Sequence, residues 1–366
     1  MRALNFAKWG NDLYTGEKSY DIVGKRKRFY VAALVCLALT ITILLVRGIN
    51  LGIEFRGGSQ FMVTGSSIDS QQPALDAVAS VKGDELARVS NIGSDAIRVQ
   101  TNELSDTEVT EVRSELATAY DVPLENVSST FVGPTWGQDV SKKALAGIVV
   151  FLLLVMAVMS IYFRAWRMAA AAILALFHDL VLTIGVYALV GWEVTPATII
   201  GLLTILGYSI YDTVVVFDKV RENTEDISEQ HLATYAERAN LAVNQTLVRS
   251  INTSVVALLP VGSILFIGAF LLGAGTLRDI ALSLFVGMAV GAYSSIFLAT
   301  PLEVSLRLKE PAIAQHTQEV LALRAGKSLG SSHTTAEFDG AAVGSTGTIT
   351  AGQHLGNKAQ PKRRRK

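Results

Sequence analysis

Four ionisable residues lie in stretches apolar enough to be hydrocarbon-buried. Asp212 sits in GYSIYDTVVVFDKVREN (207–223), His178 and Asp179 in ALFHDL (175–180), and Arg249 in NQTLVRSINTS (244–254). A charged side chain at a bilayer centre costs about 2.5–3.5 kcal/mol on insertion scales, so each needs a partner, water or a function. A carboxylate and a guanidinium at similar depth are the parts of a proton relay. Burial disfavours the ionised carboxylate, a nearby cation favours it, and movement between the two settings exchanges a proton. Asp212 precedes Phe217 by five residues, which places it about 8 Å inside the end of its apolar run. Arg249 opens the following run, so the two could meet. Tyr208, Ser209 and Thr213 beside Asp212, and Asn252 beside Arg249, are supporting or relay candidates. Plainer readings stand beside these. Arg249 at a span end can snorkel to headgroups, and Asp212 can pack against a neighbouring Ser or Thr. His178 and Asp179 are adjacent, hence about 100° apart on a helix. They cannot both face one partner, so a structural role for the pair competes with a relay.

These residues need a membrane scaffold. Half of the 366 residues are hydrophobic, 17% are charged, and mean hydropathy is +0.38. Six runs approach the length of about 20 residues that spans hydrocarbon: Phe29–Val46, Leu145–Phe163, Met168–Val190, Ala197–Phe217, Ile251–Leu272 and Ile280–Thr300. The last two are separated by a Gly-rich turn at Gly273–Asp279. The first run follows Lys25–Arg28 but lies late in the chain and has no Ala-x-Ala cleavage pattern, so it reads as a retained anchor. Lys and Arg near span ends orient the chain. Lys25–Arg28, Arg164, Arg167, Lys219, Arg221, Arg238, Arg249 and the terminal Lys362–Lys366 put both termini in the cytoplasm. Arg278 is the one positive charge in the outer turn before span six. Net charge is zero and names no partner. The lone Cys36 excludes an intrachain disulfide and a cysteine metal site.

The expected organisation is a cytoplasmic segment (1–28), a first span (29–48), an extracytoplasmic domain with connectors (49–141), spans two to six (142–302), and a mostly disordered cytoplasmic tail (303–366). Within the outer region, Gln60–Thr64, Leu86–Asn91, Ala96–Gln100 and Val127–Val132 are strand-like. Gly93-Ser94 suits a hairpin turn between the middle two. Pro73–Val81 and Asp106–Ala119 have helical spacing, with Ser105 and Glu108 forming a capping box. The order β-α-β-β-α-β predicts a small ferredoxin-like α+β domain. Its 59–133 stretch contains no His and no phosphate loop, which argues for binding or mechanical coupling over catalysis. Its approach is LGIEFRGGSQF (51–61), with Gly52, Glu54, Phe55, Gly57 and Gly58. Gly57-Gly58 permits a sharp helix-to-strand elbow. Glu54 and Arg56, alternating with Ile53 and Phe55, equally suit an exposed charged edge. Gly287 and Gly291, four apart in span six, offer a close-packing face to another helix. Beyond about residue 310 no sustained pattern is legible, and GAAVGSTGTITAGQ reads as disordered.

The four quoted motifs, in this order and on this six-span plan, resemble the SecF family of bacterial protein-export membrane proteins, within the resistance-nodulation-division superfamily. The likeness covers roughly residues 20–310. Glu54 stands where the family usually has Asp, and Lys219 where it usually has Arg; both keep their charge. The resemblance implies an α-helical polytopic protein of the bacterial cytoplasmic membrane, without enzymatic activity, cofactor or metal. It implies a SecD-like partner of the same plan, association with the SecYEG channel and the SecA motor, unfolded secretory proteins as cargo, and no specific nucleic acid. It further implies that the proton motive force drives late steps of secretion, with Asp212 and Arg249 carrying proton coupling. The competing functions are half of a proton-driven exporter of small molecules or lipids, and a scaffold that stabilises the channel without transport.

Overall fold

A computed structural model describes residues 6–330 except 67, 69, 84–86, 93–95 and 272–274. The chain opens with α1 (Phe6–Thr15) and α2 (Arg26–Arg47). Next come the short β1 (Asn50–Leu51), α3 (Ile53–Arg56), β2 (Gly58–Thr64), α4 (Gln72–Val81), β3 (Arg88–Ile92), β4 (Ala96–Thr101), α5 (Asp106–Ala119) and β5 (Val127–Val132). The remainder is helical apart from β6 (Glu193–Val194): α6 (Pro134–Phe163), α7 (Trp166–Val190), α8 (Pro196–Thr224), α9 (Tyr235–Ser263), α10 (Gly275–Ser294), α11 (Thr300–Arg307) and α12 (Pro311–Gly330). Six helical spans among the described residues are long and apolar enough to cross a membrane: α2, α6, α7, α8, α9 and the α10–α11 unit. The chain is therefore a multi-pass membrane protein.

Burial sorts the spans. Only 11% of the apolar windows of α2 and α6 is covered within the chain, against 44% in α7 and α8 and 50% in the last span. The spans α7, α8 and α10–α11 thus form the centre, and α2, α6 and α9, the last at 17%, lie toward the rim. Small side chains let the centre close. Gly287 lies where a Cβ would run into Ile205 of α8, and Gly291 where a Cβ would come 3.1 Å from the Ser209 side chain. The close-packing face read from these glycines is consequently filled inside the chain, by α8. Gly275–Asp279 form the first turn of α10, where a Gly-rich turn was expected; Gly273 lies outside the described residues.

The outer region forms a four-stranded antiparallel sheet in the order β3-β4-β2-β5, in the connection sequence β-α-β-β-α-β. Phe61, Val63, Ile97 and Val99 alternate onto one face, where Ala77 and Val78 of α4 and Val112 and Leu116 of α5 cover them. Ser105 and Glu108 make the reciprocal capping box at the start of α5. Strands β3 and β4 pair antiparallel as a hairpin; its turn at Gly93-Ser94, and Leu86, lie outside the described residues. The other face of the sheet is polar. There Arg98 Nη1 donates to Glu193 Oε2 at 2.8 Å and Gln100 Nε2 donates to the same oxygen at 3.2 Å. Glu193 belongs to β6, which pairs parallel with β1, so the sheet is tied to the turn between α7 and α8.

The connection from α2 to β2 is compact. Ile53–Arg56 form one helical turn in which Ile53 and Phe55 are buried, Glu54 is half-buried and Arg56 is exposed, so the alternation is kept on a helical turn. Gly57 (φ 82°) and Gly58 (φ 130°) then reverse the chain in conformations that L side chains rarely adopt. A Cβ on Gly57 would meet Pro134 Cα at 2.8 Å, and one on Gly58 would run into the Thr101 carbonyl oxygen. The elbow thus packs backbone on backbone against the start of α6 and the end of β4.

Two elements correct the sequence reading at the other end. Pro311–Gly330 is helical, where no element was expected. Its Arg324 bonds Glu237 at 2.7 Å and His316 Nε2 lies 2.6 Å from the Gln230 carbonyl, so contacts to the α8–α9 loop stabilise a segment whose local pattern is weak. The stretch GAAVGSTGTITAGQ lies outside the described residues. Within residues 1–28, α1 had no counterpart in the sequence reading. The segment after it is held by α9: Asn240 Oδ1 accepts from the backbone N–H groups of Ile22 and Val23, and Asn244 Oδ1 from that of Tyr20.

Candidate functional site

Asp212 faces the bundle interior from α8 and is 3% exposed. Its two carboxyl oxygens accept from different helices. Ser250 of α9 donates to Oδ1 at 2.8 Å, and Ser295, just past α10, donates to Oδ2 at 2.5 Å. Asp179 of α7 is 1% exposed and built alike. Its Oδ2 accepts from Ser209 of α8 at 2.8 Å and Ser294 of α10 at 2.7 Å, while His178 Nδ1 lies 3.2 Å from Oδ1. The Thr183 hydroxyl donates to the Asp179 backbone carbonyl, completing the local set. Two carboxyl groups thus sit in hydroxyl clamps in the middle of four helices. Among the described residues, no Lys or Arg forms an ion pair with either.

The local geometry explains the division. Ser209 and Asp212 are three residues apart on α8, hence on neighbouring parts of one face. Ser209 reaches Asp179 and Asp212 reaches Ser250 and Ser295. Ser294 and Ser295 are consecutive, so their hydroxyls diverge toward different helices. The chain there changes from α-helix to a π segment, Ser295–Ala299, before α11. Pro301 supplies a cause, because it lacks the N–H that would bond the Phe297 carbonyl. Such π segments frequently mark functional positions in helices.

The expected Asp212–Arg249 meeting is not formed. Arg249 is exposed and lines a cavity of about 660 Å³ with Asp218, Lys219, Glu222, Gln245 and Asn252. Adjacent residues of α9 point about 100° apart. Ser250 takes the inward position, so Arg249 cannot. Asn252 goes with Arg249, while the Tyr208 hydroxyl donates to Ser254 at 3.4 Å and Thr213 is buried without a contact to either carboxylate. His178 and Asp179 bond each other, and no third group bonds both side chains among the described residues. His178 Nε2 has no hydrogen-bond partner among the described residues and borders an apolar groove of about 330 Å³ beside Ala33, Cys36 and Tyr293. Gly52, Glu54, Phe55, Gly57 and Gly58 lie at the elbow, apart from the carboxylates. Glu54 Oε2 is buried there without a hydrogen-bond partner among the described residues.

Sequence reading missed Ser294, Ser295 and the role of Ser250. The available signal was two consecutive hydroxyls in AYSSIF, inside an apolar span. Glu303 was missed as well. It is fully buried and accepts from Tyr235 Oη at 2.5 Å, although PLEVSL showed a carboxylate just past Thr300. No group of three or more His, Cys, Asp or Glu suited to a metal occurs among the described residues.

Comparison with known proteins gives concordant results. Residues 112–309 match the family described as protein export membrane protein SecD/SecF, C-terminal, and residues 42–63 match the SecD/SecF GG motif. The chain is 47% identical to protein translocase subunit SecF of Streptomyces coelicolor over 333 residues, covering 91% of this chain and 89% of that one. It is 40% identical over 322 residues to protein translocase subunit SecF of Mycobacterium tuberculosis, covering 85% and 72%. The crystal structure of SecDF from Thermus thermophilus, described as a translocon-associated membrane protein, superposes with a TM-score of 0.68 at 31% identity. That match covers 80% of this chain and 39% of SecDF.

Proposed function

Because the chain belongs to the SecF family of protein translocase subunits, we propose that it uses the proton motive force, beside a SecD-like partner, to promote late steps of protein secretion. The observation that carries this reading is Asp212: a buried carboxyl group held by serines of two other helices, with no Lys or Arg in an ion pair with it among the described residues. Both donors suit the ionised form. Adding a proton neutralises the group and turns one accepted hydrogen bond into a donated one, which weakens the charge-assisted hold of α8 on α9 and α10. A charge crossing 100 mV supplies about 2.3 kcal/mol, so a few protons can drive movement of an attached domain. The route to that domain runs through Glu193 to Arg98 and Gln100, and through the elbow packed on α6.

Arg249 is the second coupling residue in this proposal. It lines the cavity as a permanent positive charge, and a change of helix packing is required to bring that charge to a carboxylate. The fused SecDF relatives support a SecD-like partner. Both termini face the cytoplasm of a bacterial cytoplasmic membrane, as the Lys and Arg distribution favours. The antiparallel order β3-β4-β2-β5 supports the ferredoxin-like reading of the outer domain, whose work is weak binding of emerging unfolded chains. SecYEG and SecA complete the assembly.

The test is release of a secreted protein from membrane vesicles with and without a proton gradient. Asp212→Asn keeps the volume and hydrogen-bonding capacity of the side chain but cannot exchange a proton. It is expected to assemble with the partner and to lose gradient-dependent stimulation. Full stimulation in the assembled variant overturns the proton-site reading and favours a scaffold.

A further inference from the structure

We propose that Ser294 and Ser295 form a positioning switch that couples proton occupancy of the two buried carboxylates to the bend of the last membrane span. The inference rests on the reading of Asp212 as a proton site. Three observations converge on it. The two serines are consecutive, yet each clamps a different carboxylate: Ser294 bonds Asp179 Oδ2 and Ser295 bonds Asp212 Oδ2. Each hydroxyl also has a second acceptor three residues back. The Ser294 oxygen lies 3.3 Å from the Gly291 carbonyl, and the Ser295 oxygen 3.3 Å from that of Ala292. Finally, the backbone passes from α to π geometry at this dipeptide, with Ser295 as the first π residue.

A serine hydroxyl has one hydrogen to give. While Asp212 is ionised, Ser295 gives it to Oδ2. When a hydronium ion gives its proton to Oδ2, the new O–H bond makes the carboxyl group the donor. Ser295 Oγ becomes the acceptor, and its own hydrogen turns to the Ala292 carbonyl. One O–H bond of hydronium breaks, leaving water, as one O–H bond forms on Asp212, and no other covalent bond changes. A side-chain bond onto that carbonyl competes with the backbone ladder where the ladder is already changing register, and such bonds bend helices. The proton is thus converted into backbone geometry. Ser294 connects the same event to Asp179, because any turn of the segment that moves one hydroxyl moves the other.

The charged and titratable groups around the switch are few. Tyr208 lies one turn before Asp212 on α8, and α7 contributes the His178–Asp179 pair. From α9, Asp212 receives Ser250, with Arg249 turned to the cavity.

The test uses the full chain assembled with its partner. Ser295→Ala, Ser295→Thr and Ser294→Ala are compared for gradient-dependent release of a secreted protein. The infrared band of the protonated carboxyl group, identified by its loss in Asp212→Asn, is recorded for each. A hydrogen bond to a charged group predicts that Ser295→Ala lowers gradient-dependent stimulation about tenfold and moves that band to higher frequency. Ser295→Thr, which keeps the hydroxyl, is expected to restore most of the stimulation and the band position. Ser294→Ala is expected to lower stimulation without abolishing the band. Should Ser295→Ala not assemble, Ser295→Cys, a weaker donor of similar size, is expected to give an intermediate response. If Ser295→Ala, or Ser295→Cys in its place, retains full stimulation and an unmoved band while Asp212→Asn is inactive, the switch is overturned and the proton site stands. If Asp212→Asn itself keeps full stimulation and removes no band, the underlying proton-site reading fails.

Discussion

Phe61, Val63, Ile97 and Val99 of the outer sheet pack with apolar side chains of α4 and α5, whereas the bundle, beside apolar clusters of its own, buries Asp179, Asp212 and four serine hydroxyls between its helices. The core under α4 and α5 is an apolar cluster, and the core that contacts lipid has polar groups set into it. In water, burying apolar surface supplies the stability, so a small domain is best served by a uniform core. Helices in lipid gain little from burying apolar faces against each other, and packing and hydrogen bonds hold them together. Hydroxyl donors suit that role and can reverse direction when a carboxyl group gains a proton. The two cores are joined at polar points, chiefly Glu193 with Arg98 and Gln100. On the proposed mechanism the domain is carried as a unit while the bundle changes.

The largest separation between the regions is expected from Asp179→Ala. It removes the acceptor of Ser209 and Ser294; Ser294 keeps the Gly291 carbonyl at 3.3 Å, while the buried Ser209 hydroxyl loses its acceptor at about 1–3 kcal/mol. The Tm of the detergent-purified complex should fall by several degrees and gradient-driven release should be lost. Amide exchange in the outer sheet should stay at its normal rate. Fast exchange there as well would show that the two cores unfold together. Leu116→Ala is the opposite perturbation. Leu116 is fully buried in the outer core, and its truncation should cost about 3 kcal/mol. Protection of β2 and α5 amides should drop about 100-fold on that cost, with no change in the carboxyl infrared band assigned to Asp212. A moved band would break the separation.

The same contrast explains what sequence could and could not tell. Ser105 with Glu108, and the alternation of Phe61, Val63, Ile97 and Val99, are local signals, and the elements they mark lie where the pattern put them. The six spans were legible for the same reason: length and hydropathy are properties of a single segment. The carboxylates were visible as costly residues, but their partners were not. Asp212 pairs with Ser250 and Ser295 across 38 and 83 residues of sequence, and a serine in an apolar span carries no mark of what it bonds. Arg249 was the more conspicuous choice because it is charged. The turn of α9 that faces Ser250 inward is set by packing, which hydropathy does not report. The α12 helix escaped for a related reason, since its Arg324–Glu237 contact is made across 87 residues.

The smallest expected effect concerns the surface of the outer domain and tests whether its stability is independent of the proton chemistry. The Glu108 carboxyl group accepts from the Ser105 backbone N–H at 2.7 Å and from its hydroxyl at 2.9 Å. The backbone bond first, then the hydroxyl, holds its pKa below the ordinary glutamate value. The depressed folded-state pKa sets the sign. The contribution to stability is fully present above the unfolded-state pKa, near 4.3 for glutamate, and is lost as pH falls through the lower folded value. Amides in the first turn of α5 should therefore exchange with constant protection at neutral pH and lose protection below about pH 4. Glu108→Gln should flatten this acid dependence, because glutamine keeps an acceptor for the Ser105 N–H but does not titrate. Protection should be compared at matched intrinsic exchange rates, so that the measurement reads opening of the cap alone. Gradient-driven release at neutral pH should equal that of the unsubstituted chain, since the cap is fully formed there and lies outside the serine-clamped carboxylates. A release defect in Glu108→Gln at neutral pH would mean that the end of α5 takes part in handling the secreted chain, and that the outer domain is more than a rigid passenger.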